Sequence, residues 1–296
     1  MAEACESLGF FFVKNHGVSA DLVERVFEQT ARFHALPLER KLEVRMLTRV
    51  LAGYLPLGGQ TQRHSTHGAS RHPDSSASFY VREEFAADHP DRIAGQPWVF
   101  DNRWPADLAG FRETMLEYFT ALDRLGRKLL PLQAVSLGLP AGYFVDHEAF
   151  LPPSSTLRLL MYPPRDPSLD GQWGIGPHTD YGHFTILAQS RQPGLEILSP
   201  EGDWIEAPAL EGHFLVNTGD LLRRWTNDRI RSAPHRVINR TGEIRYSIPY
   251  FFGTRPDVPL ECLPTCRSAG NPAKYAPQSF GQFLAEINRR NIDIAP

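Results

Sequence analysis

The hydrophobic pattern of this chain changes period near residue 150. Before that point apolar residues recur every three or four positions; after it, short apolar runs alternate with Gly and Pro turns. Leu22, Val23, Val26, Phe27 and Phe33 fall on one helical face behind Ser19, which stands where an N-cap would. Pro37 ends that helix, and residues 38–47 read as a shorter second one. Leu108, Phe111, Met115, Phe119, Leu122, Leu125 and Leu129 predict a long helix that Pro131 should kink or end. Residues 279–290 predict a last amphipathic helix.

Strand-like runs lie at 9–13, 156–162, 183–189, 195–198, 204–207, 213–217, 235–239 and 244–252. Short strands at regular spacing imply a β-sandwich or barrel, of which the jelly roll is one form. Residues 58–78 are Gly, Ser, Thr, His, Arg and Pro with almost no apolar side chain, so they should form a mobile loop, and a lid over an active site is its natural use. His64, His67 and His72 lie in it, but a lid is a better account of them than a metal cluster.

Composition narrows the classes. With 296 residues, a net charge of −3 and no run of one sign, nothing favours nucleic acid or a membrane surface as partner. Three cysteines make no disulfide framework and suit reduced thiols in a cytoplasmic protein; Cys262 and Cys266 lack nearby His to make zinc plausible. No stretch approaches the roughly 20 apolar residues of a membrane span.

The chemistry is concentrated at Gly176-Pro-His-Thr-Asp-Tyr181. His178 and Asp180 are two apart, which in an extended strand puts them on one face. His235, in Pro-His-Arg-Val-Ile-Asn, supplies a third donor. Two imidazoles and a carboxylate without a thiolate suit Fe(II) and leave coordination positions open. Arg245 and Ser247 are again two apart; a guanidinium fork and a hydroxyl fit a carboxylate. Asn217-Thr-Gly-Asp220 reads as a scaffold turn in which Gly219 supplies a special backbone angle and Asp220 caps a short helix.

Taken in order, His178-x-Asp180, Asn217-Thr-Gly-Asp220, His235-Arg-Val and Arg245-x-Ser247, with Asn15-His-Gly17 near the start, resemble the iron- and 2-oxoglutarate-dependent oxygenases of the isopenicillin N synthase-like branch. The resemblance covers nearly the whole chain. It implies an α+β fold: a double-stranded β-helix (jelly roll) core over residues 151–296, packed as one unit with a mainly helical region, 1–150, and closed by a C-terminal helix. It implies Fe(II) held by His178, Asp180 and His235, and 2-oxoglutarate held by Arg245, Ser247 and Tyr162, with O2 as the second cosubstrate.

Phe251, Leu160 and Tyr181 are implied to border the substrate; Leu160 departs from the family's frequent Asn. Arg158 is read as support for its strand, and His16 as part of a turn. Family members begin with a further strand ahead of residues 4–11, which leaves one strand of the expected sheet in doubt. The activity implied is oxidation, chiefly hydroxylation, of a small molecule with release of succinate and CO2. Two alternatives stay open: an iron oxidase of this fold that does not use 2-oxoglutarate, and an inactive binding protein on the same scaffold.

Overall fold

A computed structural model describes residues 1–47, 51–61, 72–165 and 171–291, with side chains through Ile287. In chain order the elements are α1 (Ala2–Ser7), β1 (Phe10–Lys14), α2 (Ala20–Ala35), α3 (Leu38–Leu42), β2 (Gly53–Leu55), β3 (Ala77–Arg82), α4 (Pro90–Ile93) and α5 (Phe111–Ser136). Then follow β4 (Ser154–Tyr162), β5 (Ile175–His178), β6 (Phe184–Gln189), β7 (Leu195–Leu198), β8 (Trp204–Glu206), β9 (His213–Thr218), α6 (Asp220–Trp225), β10 (His235–Val237) and β11 (Arg245–Gly253). A small pair, β12 (Pro259–Leu260) and β13 (Gln278–Ser279), precedes α7 (Phe280–Asn291).

The larger sheet has seven antiparallel strands in the order β1-β9-β6-β11-β4-β3-β2; the smaller has four, β5-β10-β7-β8. Period-two alternation gives the large sheet two characters. One face carries Phe184, Ile186, Ile248, Tyr250, Phe252, Leu157, Leu159 and Phe79, all buried in a core shared with Phe33 of α2 and Met115, Tyr118 and Leu122 of α5. Each such side chain contributes about 1.5–3 kcal/mol by leaving water. The other face bears Leu160, Tyr162, Leu215 and Phe10, which pack with Ile175, Leu195, Ile197 and Val237 of the small sheet. The chamber between the sheets therefore mixes apolar residues with the polar ones that share their register. Strands β1, β2 and β3 come from the first 150 residues, so the two halves of the chain build one sheet.

Several local expectations differ. Helix α3 stops at Leu42, because Met46 and Tyr54 turn their backbone groups to a bridge between residues 44–46 and β2. Pro131 lies inside α5 without ending it; buried Leu129, Leu130, Gln133 and Ala134 on either side hold the helix to the core, and tertiary packing outweighs the lost hydrogen bond. Ser19 occupies the N-cap of α2 but its hydroxyl makes no cap bond. Of the stretch 58–78, residues 62–71, with His64 and His67, lie outside the described residues. Its described ends are tied down: Asp74, Ser76, Ala77 and Ser78 are buried, and the last two already belong to β3. The extended strand expected to carry both His178 and Asp180 is β5, and it ends at His178. Among the described residues no helix is long and apolar enough to cross a membrane.

Candidate active site

His178 ends β5 and His235 begins β10, and the two stand directly opposite each other in the antiparallel ladder. Their ring centroids are 4.3 Å apart. Asp180 is not on the strand as expected: β5 ends at His178, and Asp180 reaches the site from the turn beyond it. Its Oδ1 lies 3.8 Å from His235 Nε2. Donor atoms of all three residues lie within 4.8 Å of one another, and among the described residues this is the group of His, Cys, Asp and Glu side chains placed to hold a metal.

Hydrogen bonds aim the three donors. His178 Nδ1 donates to Gly176 O at 2.8 Å, and His235 Nδ1 donates to Ala233 O at 3.2 Å. A carbonyl can only accept, so each Nδ1 carries the proton and each Nε2 keeps its lone pair for a cation. Asp180 Oδ2 accepts from Thr185 Oγ1 at 2.6 Å and Asn217 Nδ2 at 2.7 Å, which leaves Oδ1 free. Burial, then the neighbouring His235, push the His178 imidazole well below its usual range. Burial works to raise the Asp180 carboxyl, but His235, His178, Asn217 and Thr185 together hold it below the ordinary carboxylate range. Neutral imidazoles and an ionised carboxylate are the states in which a metal is bound. Two nitrogens and one oxygen, with no sulfur, fit Fe(II).

Arg245 is 1 % exposed and lies on the chamber face of β11. Its Nε donates to Gln192 O and one Nη to Gln189 Oε1, while Nη1 is buried without a partner. Among the described residues no carboxylate is a hydrogen-bond partner of Arg245. Tyr162 lies directly opposite Arg245 on β4, and its hydroxyl is 3.3 Å from Ser247 Oγ. Three donor groups thus converge around one unpaired N–H, a setting that fits a carboxylate.

Comparison with known proteins adds the family. Residues 153–254 match the model of the 2OG-Fe(II) oxygenase superfamily, and residues 1–107 match that of the non-haem dioxygenase in morphine synthesis N-terminal region. A 2-oxoglutarate-Fe(II) type oxidoreductase, hxnY, of Emericella nidulans is 39% identical over 287 residues, covering 93% of this chain and 79% of its own. The chain belongs to the 2OG-Fe(II) oxygenase superfamily. Homoarginine-6-hydroxylase of Oryza sativa is 31% identical, with 96% of this chain and 85% of that protein covered. Among solved structures, a full-length Neurospora crassa protein in complex with alpha-KG and thymine aligns with a TM-score of 0.82 at 33% identity, covering 97% of this chain and 88% of that one. JOX2 in complex with 2OG, Fe and JA aligns with a TM-score of 0.83 at 28% identity, covering 97% and 79%. The protein is an Fe(II)- and 2-oxoglutarate-dependent oxygenase with O2 as cosubstrate.

The oxygenase keeps the other singled-out residues in distinct places. Leu160 is buried on the chamber face of β4, opposite Ser247. Phe251 is half-buried on the chamber face of β11, with Thr185 opposite it on one side and Thr156 on the other. Tyr181 packs with the larger, helix-facing core, not with Leu160 and Tyr162, and its carbonyl accepts from Leu221 N. His16 accepts from Val18 N and lies against Phe214, a turn as expected.

Three supports of the site were not foreseen. Asn217 and Thr185 face each other across β9 and β6 and converge on Asp180. Each is a polar side chain on an inward position of an apolar strand, which by itself demands a partner. Asp74, 1 % exposed, accepts from Gly176 N at 3.0 Å through Oδ1, so it holds the residue whose carbonyl fixes His178. Gly219 needs no special backbone angle, since its φ is −109°. It needs space: a Cβ there would collide with Gly182 O and come 3.0 Å from Asp180 O. Asp220 follows the cap position instead of filling it, and its Oδ2 accepts from Thr179 Oγ1.

Proposed function

We propose that this oxygenase hydroxylates a carbon of a small-molecule substrate, with release of succinate and CO2. In this reading His178, Asp180 and His235 hold Fe(II), and Arg245, Ser247 and Tyr162 hold the distal carboxylate of 2-oxoglutarate. The iron, with 2-oxoglutarate and O2, supplies the oxidising power that breaks a C–H bond. The chain's own residues bind, orient and exclude water. Neutral His178 and His235 present Nε2; Thr185 and Asn217 fix which Asp180 oxygen faces the cation; Leu160 and Phe251 form the apolar wall that keeps solvent from the reacting carbon.

The observation that carries 2-oxoglutarate use is the buried Nη1 of Arg245, left without a partner on the same face as Ser247 and Tyr162. A cation buried in this way is costly unless an anion completes it. The small-molecule class is supported by the relatives: the Neurospora crassa protein is bound to thymine and JOX2 to JA, and the rice protein is named a homoarginine hydroxylase. The test is succinate release from 2-oxoglutarate by the iron-loaded protein, including the slow turnover without substrate. Absence of any 2-oxoglutarate turnover, together with no change in absorption when the oxo acid is added to the anaerobic Fe(II) protein, would remove this reading in favour of an oxidase or a binding protein.

A further inference from the structure

Across the chamber face of the large sheet, paired residues form two rows. One runs Asn217, Thr185, Phe251, Thr156, Arg82 from β9 to β3. It starts at the side chains that hold Asp180 and ends at a guanidinium. The next row contains Arg158, opposite Tyr80. Strands are about 4.8 Å apart, so β4 lies roughly 10 Å from β6, a distance that a small molecule spans.

Arg158 and Arg82 flank Thr156 on this face, and neither is ion-paired among the described residues. Arg158 is 7 % exposed; its Nη2 donates to Gln60 Oε1 at 3.0 Å, its guanidinium lies over the Tyr80 ring, and its Nε is buried without a partner. Among the described residues the Arg82 guanidinium donates to the hydroxyls of Thr156 and Ser154. Arg158 is two residues from Leu160 and four from Tyr162 along β4, so all three share the chamber face. Asp74 feels the charge of Arg158, but the two form no ion pair among the described residues: Asp74 Oδ1 accepts from Gly176 N, and burial, the larger effect, raises the carboxyl to about 7.

We propose that Arg158, with Arg82 beside it, is the specificity determinant for a carboxylate on the substrate, and that the substrates are small acids whose apolar body lies along Phe251. A buried guanidinium with an unused N–H and no ion-pair partner among the described residues is the arrangement that Arg245 presents to the cosubstrate, and Arg158 repeats it further along the chamber face. Phe251 stands between the two regions, next to Thr185 on one side and Thr156 on the other, so an apolar body against its ring has its acid group toward β4 and its far end toward Asp180. This rests on the oxygenase reading of the same chamber and names the class of molecule admitted to it.

The experiment uses matched pairs of probes, each a small acid and its primary amide: phenylacetate, 3-phenylpropionate and hexanoate against phenylacetamide, 3-phenylpropanamide and hexanamide. Stimulation of succinate release by the Fe(II)- and 2-oxoglutarate-loaded enzyme is the readout. At least one acid is expected to exceed its amide by roughly ten- to a hundredfold, the worth of charge-assisted hydrogen bonds. Arg158→Gln is expected to abolish that preference and Arg158→Lys to keep part of it. A wild-type enzyme in which no acid exceeds its amide overturns the proposal, and so does an Arg158→Gln enzyme with the preference intact. Loss of the 2-oxoglutarate absorption change in Arg158→Gln would assign Arg158 to the oxo acid and also overturn it. Should Arg158→Gln fail to fold, the wild-type comparison and Arg158→Lys still decide. Failure of the wild-type protein to turn over 2-oxoglutarate at all is a different result, and it removes the function, not the subsite alone.

Discussion

Asn217 donates its side-chain N–H to Oδ2 of Asp180 at 2.7 Å, and Thr185, its partner across the sheet, donates to the same atom at 2.6 Å. Two strands of the large sheet thereby set the rotation of a carboxylate that belongs to a turn. Asn217→Ala and Thr185→Val are expected to weaken Fe(II) binding by roughly ten- to a hundredfold each, as loss of an outer hydrogen bond to a metal ligand does. Anaerobic Fe(II) titration, followed by the absorption change with 2-oxoglutarate, measures it. Affinities equal to wild type would mean that these bonds serve the fold and not the iron.

Arg245→Gln should raise the KM for 2-oxoglutarate by roughly ten- to a hundredfold, because a charged hydrogen bond contributes about 1.5–3 kcal/mol. Ser247→Ala, which removes a neutral hydroxyl, should have a smaller effect in the same direction. Steady-state succinate release at varied 2-oxoglutarate checks both. An unchanged KM in Arg245→Gln would deny this residue the cosubstrate.

Two buried histidines make stability depend on pH. Burial lowers His34 to about 4 and His183 to about 3 from an ordinary 6.5. Below pH ~6.5 the unfolded chain takes up protons at these positions while the folded chain does not, so stability is lost as pH falls. The slope reaches at most about 1.4 kcal/mol per pH unit for each group and persists down to the folded values. By themselves these two groups make the thermal midpoint fall between pH ~7.5 and ~5.5, while Asp74 and Glu83, whose carboxyls burial raises to about 7, act in the opposite sense over that range. His34→Gln, which keeps a donor for the Leu159 carbonyl that His34 Nε2 meets at 3.1 Å, should flatten part of that fall. Parallel curves for the two proteins would contradict it.

Gly219→Ala should destabilise the protein by about 1–3 kcal/mol, the ordinary range for forcing an atom into filled space. Its Cβ would meet the backbone oxygens of Gly182 and Asp180, neither of which can swing away as a flexible side chain could. Urea unfolding gives the loss. A midpoint equal to wild type would show that the turn opens without cost.

Much of the fold was legible because period-two alternation survives along β4, β6 and β11, and because the charged and polar residues of the site sit at the inward positions of those strands. The pairing of His178 with His235 was not legible, since it depends on the register of two short strands distant in sequence. Asp180 was assigned to a strand from its two-residue spacing, yet a turn serves as well once Thr185 and Asn217 hold the carboxylate. Pro131 misled because a local rule about backbone donors cannot weigh the core contacts of Leu130 and Ala134. Arg158 looked like a strand support; the role proposed for it rests on its unused Nε and on the absence of an ion-pair partner among the described residues.

Gly176 is gripped from both sides: Asp74 takes its N–H, and its own C=O steadies the ring of His178. The polar segment ahead of β3 is thus geared to the imidazole that meets the cation. Loss of the Asp74 carboxylate would therefore free the Gly176 peptide and, one hydrogen bond further on, the His178 ring.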